Sequence, residues 1–153
     1  MTDDAIKIRR ARVDDAPAIS FCVAAAYAPY VTRIGKPPAP ALEDYSQVVS
    51  RHDVFVLTVE EKIAGVLVLI KQERNLLLDN VAVHPDYQSR GFGRRLITFA
   101  EEKAKSAGFN LITLYTNEQM TENIELYKKL GFVETERRVE QGYRRVYMRK
   151  EIK

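Results

Sequence analysis

The sequence predicts a mixed α/β or α+β sandwich, in which helices cover the faces of a single β-sheet. Three observations carry this prediction. Segments with strand periodicity and segments with helical periodicity alternate in the order β-α-α-β-β-β-α-β-α-β-β. The 153 residues, 46% of them hydrophobic and 29% charged, suit one globular domain over residues 1–153. A strand, a helix and a second strand between residues 76 and 116 have the spacing of a right-handed parallel crossover.

The first third of the chain supplies one strand, two helices and the longest predicted loop. Residues 5–13 alternate apolar and basic side chains, as in a half-buried strand. Residues 14–27 begin with two acids and continue rich in alanine, which predicts a helix. Residues 28–41 contain four of the six prolines together with Gly35, so we expect an irregular loop there. A short second helix is predicted over residues 42–51.

The middle of the chain predicts a hairpin, a central strand and a long helix. Two apolar runs, residues 54–60 and 63–71, are separated by a two-residue turn and are therefore predicted to form an antiparallel hairpin. Residues 76–83 are apolar on both faces apart from two positions, as is typical of a central strand. Residues 91–107 place apolar side chains on one helical face, and Gly108 follows as a helix stop.

The remaining elements end in a second hairpin. Residues 111–116 are predicted to form a strand, and residues 121–130 a helix that Gly131 ends. Residues 132–139 and 143–150 are predicted to form two strands on either side of a turn. Because a closing hairpin leaves a strand at the edge of the sheet, it could serve as the contact of a homodimer.

The composition excludes several functional classes. No uninterrupted apolar stretch approaches the length that spans a bilayer, and the N-terminus shows no secretory signal. Cys22 is the only cysteine and there are two histidines, so we expect no internal disulfide, no metal site and a cytoplasmic location. The formal net charge is +3, with 21 acidic residues spread among 24 basic ones, which argues against nucleic-acid binding.

A turn rich in glycine and arginine precedes the long helix. It contains Gln88, Ser89, Arg90, Gly91, Phe92, Gly93 and Arg94. The N-terminus of a helix offers unpaired N–H donors and a partial positive charge, and glycine lets the backbone approach an anion closely. The third glycine of a dinucleotide fingerprint and the Gly-Lys-Ser/Thr of a P-loop are both absent. Taken alone, the turn is consistent with a phosphate site or with a solvated helix start.

Two linked motifs resemble the GNAT superfamily of acetyl-CoA-dependent N-acetyltransferases. They are LLLDNVAVHPDYQSRGFGRRL, residues 76–96, and NIELYKKLGFVE, residues 123–134, and the order of elements agrees along nearly the whole chain. The resemblance implies a mixed, mostly antiparallel sheet of about seven strands flanked by about four helices, splayed between strands 4 and 5. It also implies an enzyme that transfers the acetyl group of acetyl-CoA to a primary amine of a small molecule or peptide, by direct attack through a tetrahedral intermediate and without a metal.

The resemblance also assigns cofactor-binding residues. In the family, the turn before the long helix holds the pyrophosphate of coenzyme A through backbone amides, and the preceding strand pairs with the pantetheine arm. By position, this gives Val81, Ala82, Val83, Gln88, Ser89, Arg90, Gly91, Phe92, Gly93 and Arg94. Met120 and Asn123 stand where many relatives carry asparagine and alanine, respectively. We expect Asn123 to hydrogen-bond the cofactor, although a first-turn asparagine is also a common capping residue.

Catalytic roles follow from the same resemblance. Tyr127 matches the family's general acid, which protonates the departing thiolate, and its ring also fits a place in the core; both can hold together. Asp79 is the candidate base, although a hydrogen-bonded structural carboxylate fits that position equally well. Leu77 stands where some relatives carry a catalytic glutamate, which favours a water relay. The backbone N–H near Val81 is the family's usual oxyanion donor.

The acceptor is the least determined part of the prediction. Tyr30 and Arg33 in the proline-rich segment, and Tyr115 near the end of its strand, are the candidate acceptor-binding residues, with Arg33 able to bind a carboxylate. These residues do not separate an amino acid, a peptide N-terminus, a polyamine and a drug-like amine. The alternative function is a non-catalytic acyl-CoA-binding or sensor module, against which the retention of Tyr127 argues.

Overall fold

The protein, described by a computed structural model over residues 5–152, contains a seven-stranded sheet with helices on both faces. The strands are β1 (Ile6–Arg10), β2 (Asp53–Val59), β3 (Lys62–Lys71), β4 (Leu76–Val83), β5 (Leu111–Asn117), β6 (Val133–Glu140) and β7 (Tyr143–Glu151). The α-helices are α1 (Ala16–Ile34), α2 (Tyr45–Arg51), α3 (Phe92–Ser106) and α4 (Thr121–Lys129). Short 3₁₀ turns lie at Val13–Asp15, Ala39–Leu42 and Pro85–Tyr87.

The sheet confirms the predicted fold class. Its strands are ordered β1-β2-β3-β4-β5-β7-β6, and every neighbouring pair is antiparallel except β4 and β5. Because β4 and β5 are parallel and joined through α3, they form the predicted crossover unit. The predicted closing hairpin is β6 and β7, which places β6 at one edge of the sheet.

Alternation along the central strands divides the core into two layers. Leu57 and Leu67 belong to the apolar cluster that includes the buried faces of α3 and α4. Val56 and Val66, their immediate neighbours, belong to the cluster that includes α1 and Tyr45 of α2. Since side chains on a strand point alternately to opposite faces, continuous apolar runs such as β2 and β3 are buried on both sides.

Helix α1 is longer than its sequence predicts. The expectation of an irregular loop from residue 28 is wrong for residues 28–34, which continue the helix through Pro29. Proline removes one backbone donor and strains a helix interior. The helix continues past Pro29 because Tyr27, two residues earlier, is anchored in the core. The helix then ends at Gly35, whose φ of +89° suits a helix terminus.

The loop between α1 and α2 is correspondingly short. It starts at Gly35, contains the 3₁₀ turn Ala39–Leu42, and ends where Asp44 caps α2 by accepting a hydrogen bond from the N–H of Ser46 at 3.1 Å. The predicted start of α2 at residue 42 is therefore three residues early, because the capping carboxylate stands at residue 44 and the helix begins at Tyr45.

A β-bulge opens the sheet between β4 and β5. These strands pair only over Leu76–Leu78, opposite residues 112–114, and then separate, which confirms the predicted splay. On the other side of β4, Leu69 pairs with Leu78 and Val68 pairs with Asn80, so Asp79 is the extra residue of the bulge. The bulge bends β4 away from β5 and leaves a gap in the middle of the sheet.

Candidate active site

The open half of β4 directs backbone groups into this gap. The N–H of His84, the residue after β4, donates to the C=O of Ala64 in β3 at 2.8 Å, which fixes the side toward which alternate residues point. Because these groups alternate along an antiparallel strand, those of Val81 and Val83 point toward the gap. The groups of Ala82 point toward β3, so the expectation that its main chain pairs with a ligand in the gap does not fit the register.

Two side chains cover the carbonyls of the open edge. The hydroxyl of Tyr27 donates to Oδ1 of Asn80 at 2.7 Å and lies 3.3 Å from the C=O of Val81. The side-chain amide of Gln88 donates to the C=O of Val83 at 3.0 Å. Within residues 5–152, the N–H groups of Val81 and Val83 have no acceptor, so they are the donors that the open edge can offer to a ligand.

The turn after β4 places a second set of donors at the end of the gap. Ser89 and Gly91 have positive φ angles of 66° and 80°, a conformation that glycine adopts without strain. The first backbone hydrogen bond of α3 runs from the N–H of Arg95 to the C=O of Gly91 at 3.0 Å. Three N–H groups precede it without an acceptor in the helix: those of Phe92, Gly93 and Arg94. With the positive end of the helix dipole, they form an anion site.

The aromatic residues of this turn hold it against the core. The Phe92 side chain is buried, and its ring centroid lies 6.5 Å from that of Tyr87. The guanidinium carbon of Arg90 lies 5.4 Å from the Tyr87 ring centroid. Phe92 can therefore offer only its backbone N–H to a ligand.

A groove joins the open edge of β4 to the turn. It is bounded by α1 on one side and by α4 on the other. The groove contains every predicted cofactor-binding residue except Arg90. It also contains Tyr30, predicted to bind the acceptor, and Tyr127, predicted to act as the general acid. The predicted residues that line it are Tyr30, Val81, Ala82, Val83, Gln88, Ser89, Gly91, Phe92, Gly93, Arg94, Asn123 and Tyr127. The sequence therefore predicted most of one continuous surface.

Tyr127 lies where the groove meets a second cavity. Its ring is buried and packs edge-on against Phe132, with 5.9 Å between the ring centroids. Its side chain lines both cavities, as does that of Asn123. Burial raises the pKa of Tyr127 well above the ordinary range of a phenol, so the hydroxyl keeps its proton at neutral pH.

The second cavity, here called the inner cavity, lies beyond the splay. Asp79 of the bulge, Tyr115 of β5 and the β7 residues Tyr143 and Arg145 line it, and the 3₁₀ turn of the α1–α2 loop covers it. The hydroxyl of Tyr115 donates to Oδ1 of Asp79 at 3.2 Å. Burial raises the pKa of Asp79, and burial together with that carboxylate raises the pKa of Tyr115 to about 12.

The structure places Tyr30 and Arg33 away from the inner cavity. Both contact Glu122 of α4: the Arg33 guanidinium lies 2.8 Å from Oε1, and the Tyr30 hydroxyl donates to Oε2 at 3.0 Å. These contacts lower the pKa of Glu122 to about 2, with the Arg33 hydrogen bond as the largest cause. The extension of α1 explains this outcome, because it carries both residues along the helix toward the start of α4.

More than half of the chain matches a model of a known protein family. The model is described as "Acetyltransferase (GNAT) domain", and it matches residues 50–134. The chain belongs to the GNAT acetyltransferase family. The matched region contains the splay, the glycine-rich turn, α3, β5 and α4, so Tyr127 and the groove wall opposite α1 fall within it.

Curated relatives match parts of the chain, and the matches span less than two thirds of each relative's own length. An uncharacterized N-acetyltransferase, YvbK of Bacillus subtilis, is 31% identical over 94 residues, which cover 61% of each chain. The L-amino acid N-acyltransferase MnaT of Escherichia coli is 32% identical over 62 residues, 40% of this chain and 36% of MnaT. A crystal structure of PaiA N-acetyltransferase from Thermoplasma acidophilum in complex with coenzyme A shares the fold, with a TM-score of 0.80, 17% identity and 99% of both chains covered.

Among the residues that line the inner cavity, Tyr143 and Arg145 were not predicted from sequence. The signal was present in the alternation of β7, where Val146 and Met148 are buried and Tyr143 and Arg145 point to the opposite face. Their position in the site depends on the pairing of β5 with β7, which sets Asn117 opposite Arg145. That pairing is a long-range feature, and the sequence pattern does not specify it.

Neither a membrane span nor a metal cluster was found in residues 5–152. No helix there is long and apolar enough to cross a bilayer. No group of three or more His, Cys, Asp or Glu side chains in that part of the chain could hold a metal ion.

Proposed function

We propose that this protein is an acetyl-CoA-dependent N-acetyltransferase that acts on a primary amine of a small molecule or peptide. One observation carries the proposal: Tyr127 lines both the groove and the inner cavity, so its side chain can be reached from either one. The groove offers backbone donors suited to an elongated anionic ligand, and the inner cavity holds a carboxylate suited to an amine. Two substrates could thus meet at a proton donor.

The groove fits the chemistry of coenzyme A. The N–H groups of Phe92, Gly93 and Arg94 would bind the diphosphate, assisted by the helix dipole and by the Arg94 side chain. The N–H group of Val83 would bind an amide oxygen of pantetheine, as an added strand does at an open sheet edge, which leaves the N–H of Val81 for the reacting carbonyl. Asn123 lines the groove and is the candidate for a further hydrogen bond.

The acetyl thioester supplies an electrophilic carbonyl carbon to the amine. Asp79, directly or through a water molecule, takes the proton that the amine loses as the N–C bond forms. The N–H of Val81 stabilises the oxyanion of the tetrahedral intermediate. When the C–S bond breaks, Tyr127 gives its proton to the departing thiolate, and the products are an amide and coenzyme A.

The proposal is tested by following thiol release from acetyl-CoA across a panel of amines and by the mass of each product. We expect amine-dependent release of coenzyme A and an acceptor heavier by one acetyl group. The name of the Escherichia coli relative makes amino acids one class to include, beside peptides, polyamines and drug-like amines. If coenzyme A raises Tm while every amine stays unmodified, the protein is the alternative acyl-CoA-binding module and the enzymatic proposal fails.

Gly91 provides a test of the diphosphate site. Gly91→Ala is expected to lower stability by about 1 kcal/mol, because alanine is strained at a φ of +80°. It should also weaken coenzyme A binding about tenfold, because the displaced turn loses at least one charge-assisted hydrogen bond. Isothermal titration with coenzyme A measures the second effect.

Gly108 offers a matched control for this variant. It ends α3 with a φ of +84°, and an added Cβ meets no atom within 4 Å at either glycine. Gly108→Ala should therefore cost similar stability and leave the affinity for coenzyme A unchanged. Equal affinities in the two variants would contradict the placement of the diphosphate on the Gly91 turn.

A further inference from the structure

The inner cavity contains a cation, Arg145, that acts on Asp79 through space and forms no direct ion pair within residues 5–152. Arg145 is half-buried in its wall, and its guanidinium carbon lies 4.4 Å from the ring centroid of Tyr115. Among residues 5–152, the side chain of Arg145 donates no hydrogen bond and has no carboxylate oxygen within 4.0 Å of its guanidinium nitrogens. Stacking on one ring satisfies the face of the guanidinium and leaves its N–H donors available.

The neighbouring arginines of the same strand are paired. Arg144 lies 4.0 Å from Glu118, and Arg149 lies 3.1 Å from Glu151. Arg145 is more buried than either of these arginines, yet it is the one that lacks such a carboxylate among the described residues. Because a partly buried charge is costly without a partner, this arrangement indicates that the partner is a ligand.

We propose that Arg145 binds a carboxylate of the acceptor and thereby selects amines that carry a free carboxylate near the amino group. This inference rests on the proposed function, and it specifies the acceptor of the same site. It favours amino acids over polyamines, which carry no anion, and over the N-termini of long peptides, whose carboxylate is remote.

The two charges of the cavity are arranged to take both ends of such a molecule. Asp79 accepts a hydrogen bond from the hydroxyl of Tyr115, and Arg145 stacks on the same side chain. The carboxylate oxygens of Asp79 lie more than 4.0 Å from the guanidinium nitrogens of Arg145, so the two side chains do not form an ion pair. An amine beside Asp79 can therefore have its carboxylate beside Arg145, with Tyr115 between the two charges.

Other charges near the cavity are compatible with an anionic acceptor. The Nζ of Lys36 lies 4.0 Å from the ring centroid of Tyr143, which lines the cavity, so a second cation lies close to the same wall. Glu43 is an opposing charge on the covering loop, but it is exposed and does not line the cavity. The electrostatic preference is thus set mainly by the cations on the β7 side and by Asp79 opposite them.

The inference is tested first with matched acceptors. The common L-amino acids are compared with their carboxamides, which have nearly the same size and keep the amine but lose the negative charge. We expect kcat/KM for at least one acid to exceed that for its carboxamide about 10-fold or more. Comparable values for acids and carboxamides, or turnover of carboxamides or polyamines alone, would overturn the inference while leaving acetyl transfer established.

Substitution of Arg145 then tests the residue itself. Arg145→Gln should raise KM for the acid about 10- to 100-fold, with little effect on kcat, on KM for the carboxamide or on coenzyme A affinity. Arg145→Lys keeps the charge and should recover part of the loss. The matched control is Arg144→Gln, which removes an exposed arginine from the opposite face of the same strand and should leave both KM values unchanged.

Failure of the inference and failure of the proposed function give different results. If coenzyme A raises Tm and non-anionic amines are acetylated, but Arg145→Gln leaves KM for every acid unchanged, Arg145 does not bind the acceptor. If coenzyme A binds and no amino acid is acetylated, the inference is overturned as well. If coenzyme A itself fails to bind, the proposed function falls before the acceptor is in question.

Discussion

Replacing Tyr127 with phenylalanine is expected to lower kcat about 100-fold or more, with KM for acetyl-CoA changed less than about threefold. The variant removes the proton donor of the thiolate and keeps the ring that packs against Phe132. Burial raises the pKa of Tyr127, so its hydroxyl carries its proton throughout the neutral and mildly alkaline range, and the same shift makes it a weaker acid than an exposed phenol. Steady-state thiol release with an identified acceptor measures the loss.

Thermal unfolding separates a chemical role of Tyr127 from a packing role. Tyr127→Phe conserves the buried ring, so Tm and the affinity for coenzyme A should both stay close to those of the wild type. A full kcat in this variant would contradict the assignment of the general acid. In that case Tyr127 would act only as a core aromatic, the other interpretation that its sequence position allows.

Replacing Asp79 with asparagine is expected to have the second large effect, a loss of about 100-fold in kcat/KM at neutral pH. Asparagine keeps the side-chain oxygen that accepts the Tyr115 hydroxyl but cannot take a proton from the amine. Because burial raises the pKa of Asp79, the acidic limb of the wild-type pH–rate profile should lie above that of an exposed aspartate. That limb should disappear in the variant.

The same variant should be more stable than the wild type at neutral pH. The pKa of Asp79 is higher in the folded state than in the unfolded state, so the ionised carboxylate opposes folding once the pH exceeds the folded value. The difference in Tm should therefore vanish as the pH falls below about 4, the unfolded value. Unchanged activity in Asp79→Asn would show that a water relay deprotonates the amine without this carboxylate.

The elements that the sequence predicted well are those with strong local patterns. The continuous apolar runs of β2 and β3, and the glycine turn before α3, follow from burial and from backbone conformation at single residues. Helix α1 was predicted too short because prolines usually end helices. At Pro29 the tertiary packing of Tyr27 outweighs that local tendency.

The same difference between local and long-range features applies to the candidate site. The groove lies mostly along one stretch of chain, β4 and the turn after it, so a motif could indicate it. The inner cavity assembles Asp79, Tyr115 and Arg145 from three strands whose neighbours are set by long-range pairing. Arg33 was predicted at the acceptor because the segment around it was expected to be a loop, and the helix pairs it with Glu122 instead.

A crystal structure with coenzyme A bound would test the central claim most directly, namely that the groove presents a thioester to the inner cavity at Tyr127. We expect the diphosphate on the N–H groups of Phe92, Gly93 and Arg94, and the sulfur within hydrogen-bonding reach of the Tyr127 hydroxyl. Coenzyme A bound outside the groove, or with its sulfur directed away from Tyr127, would contradict that claim.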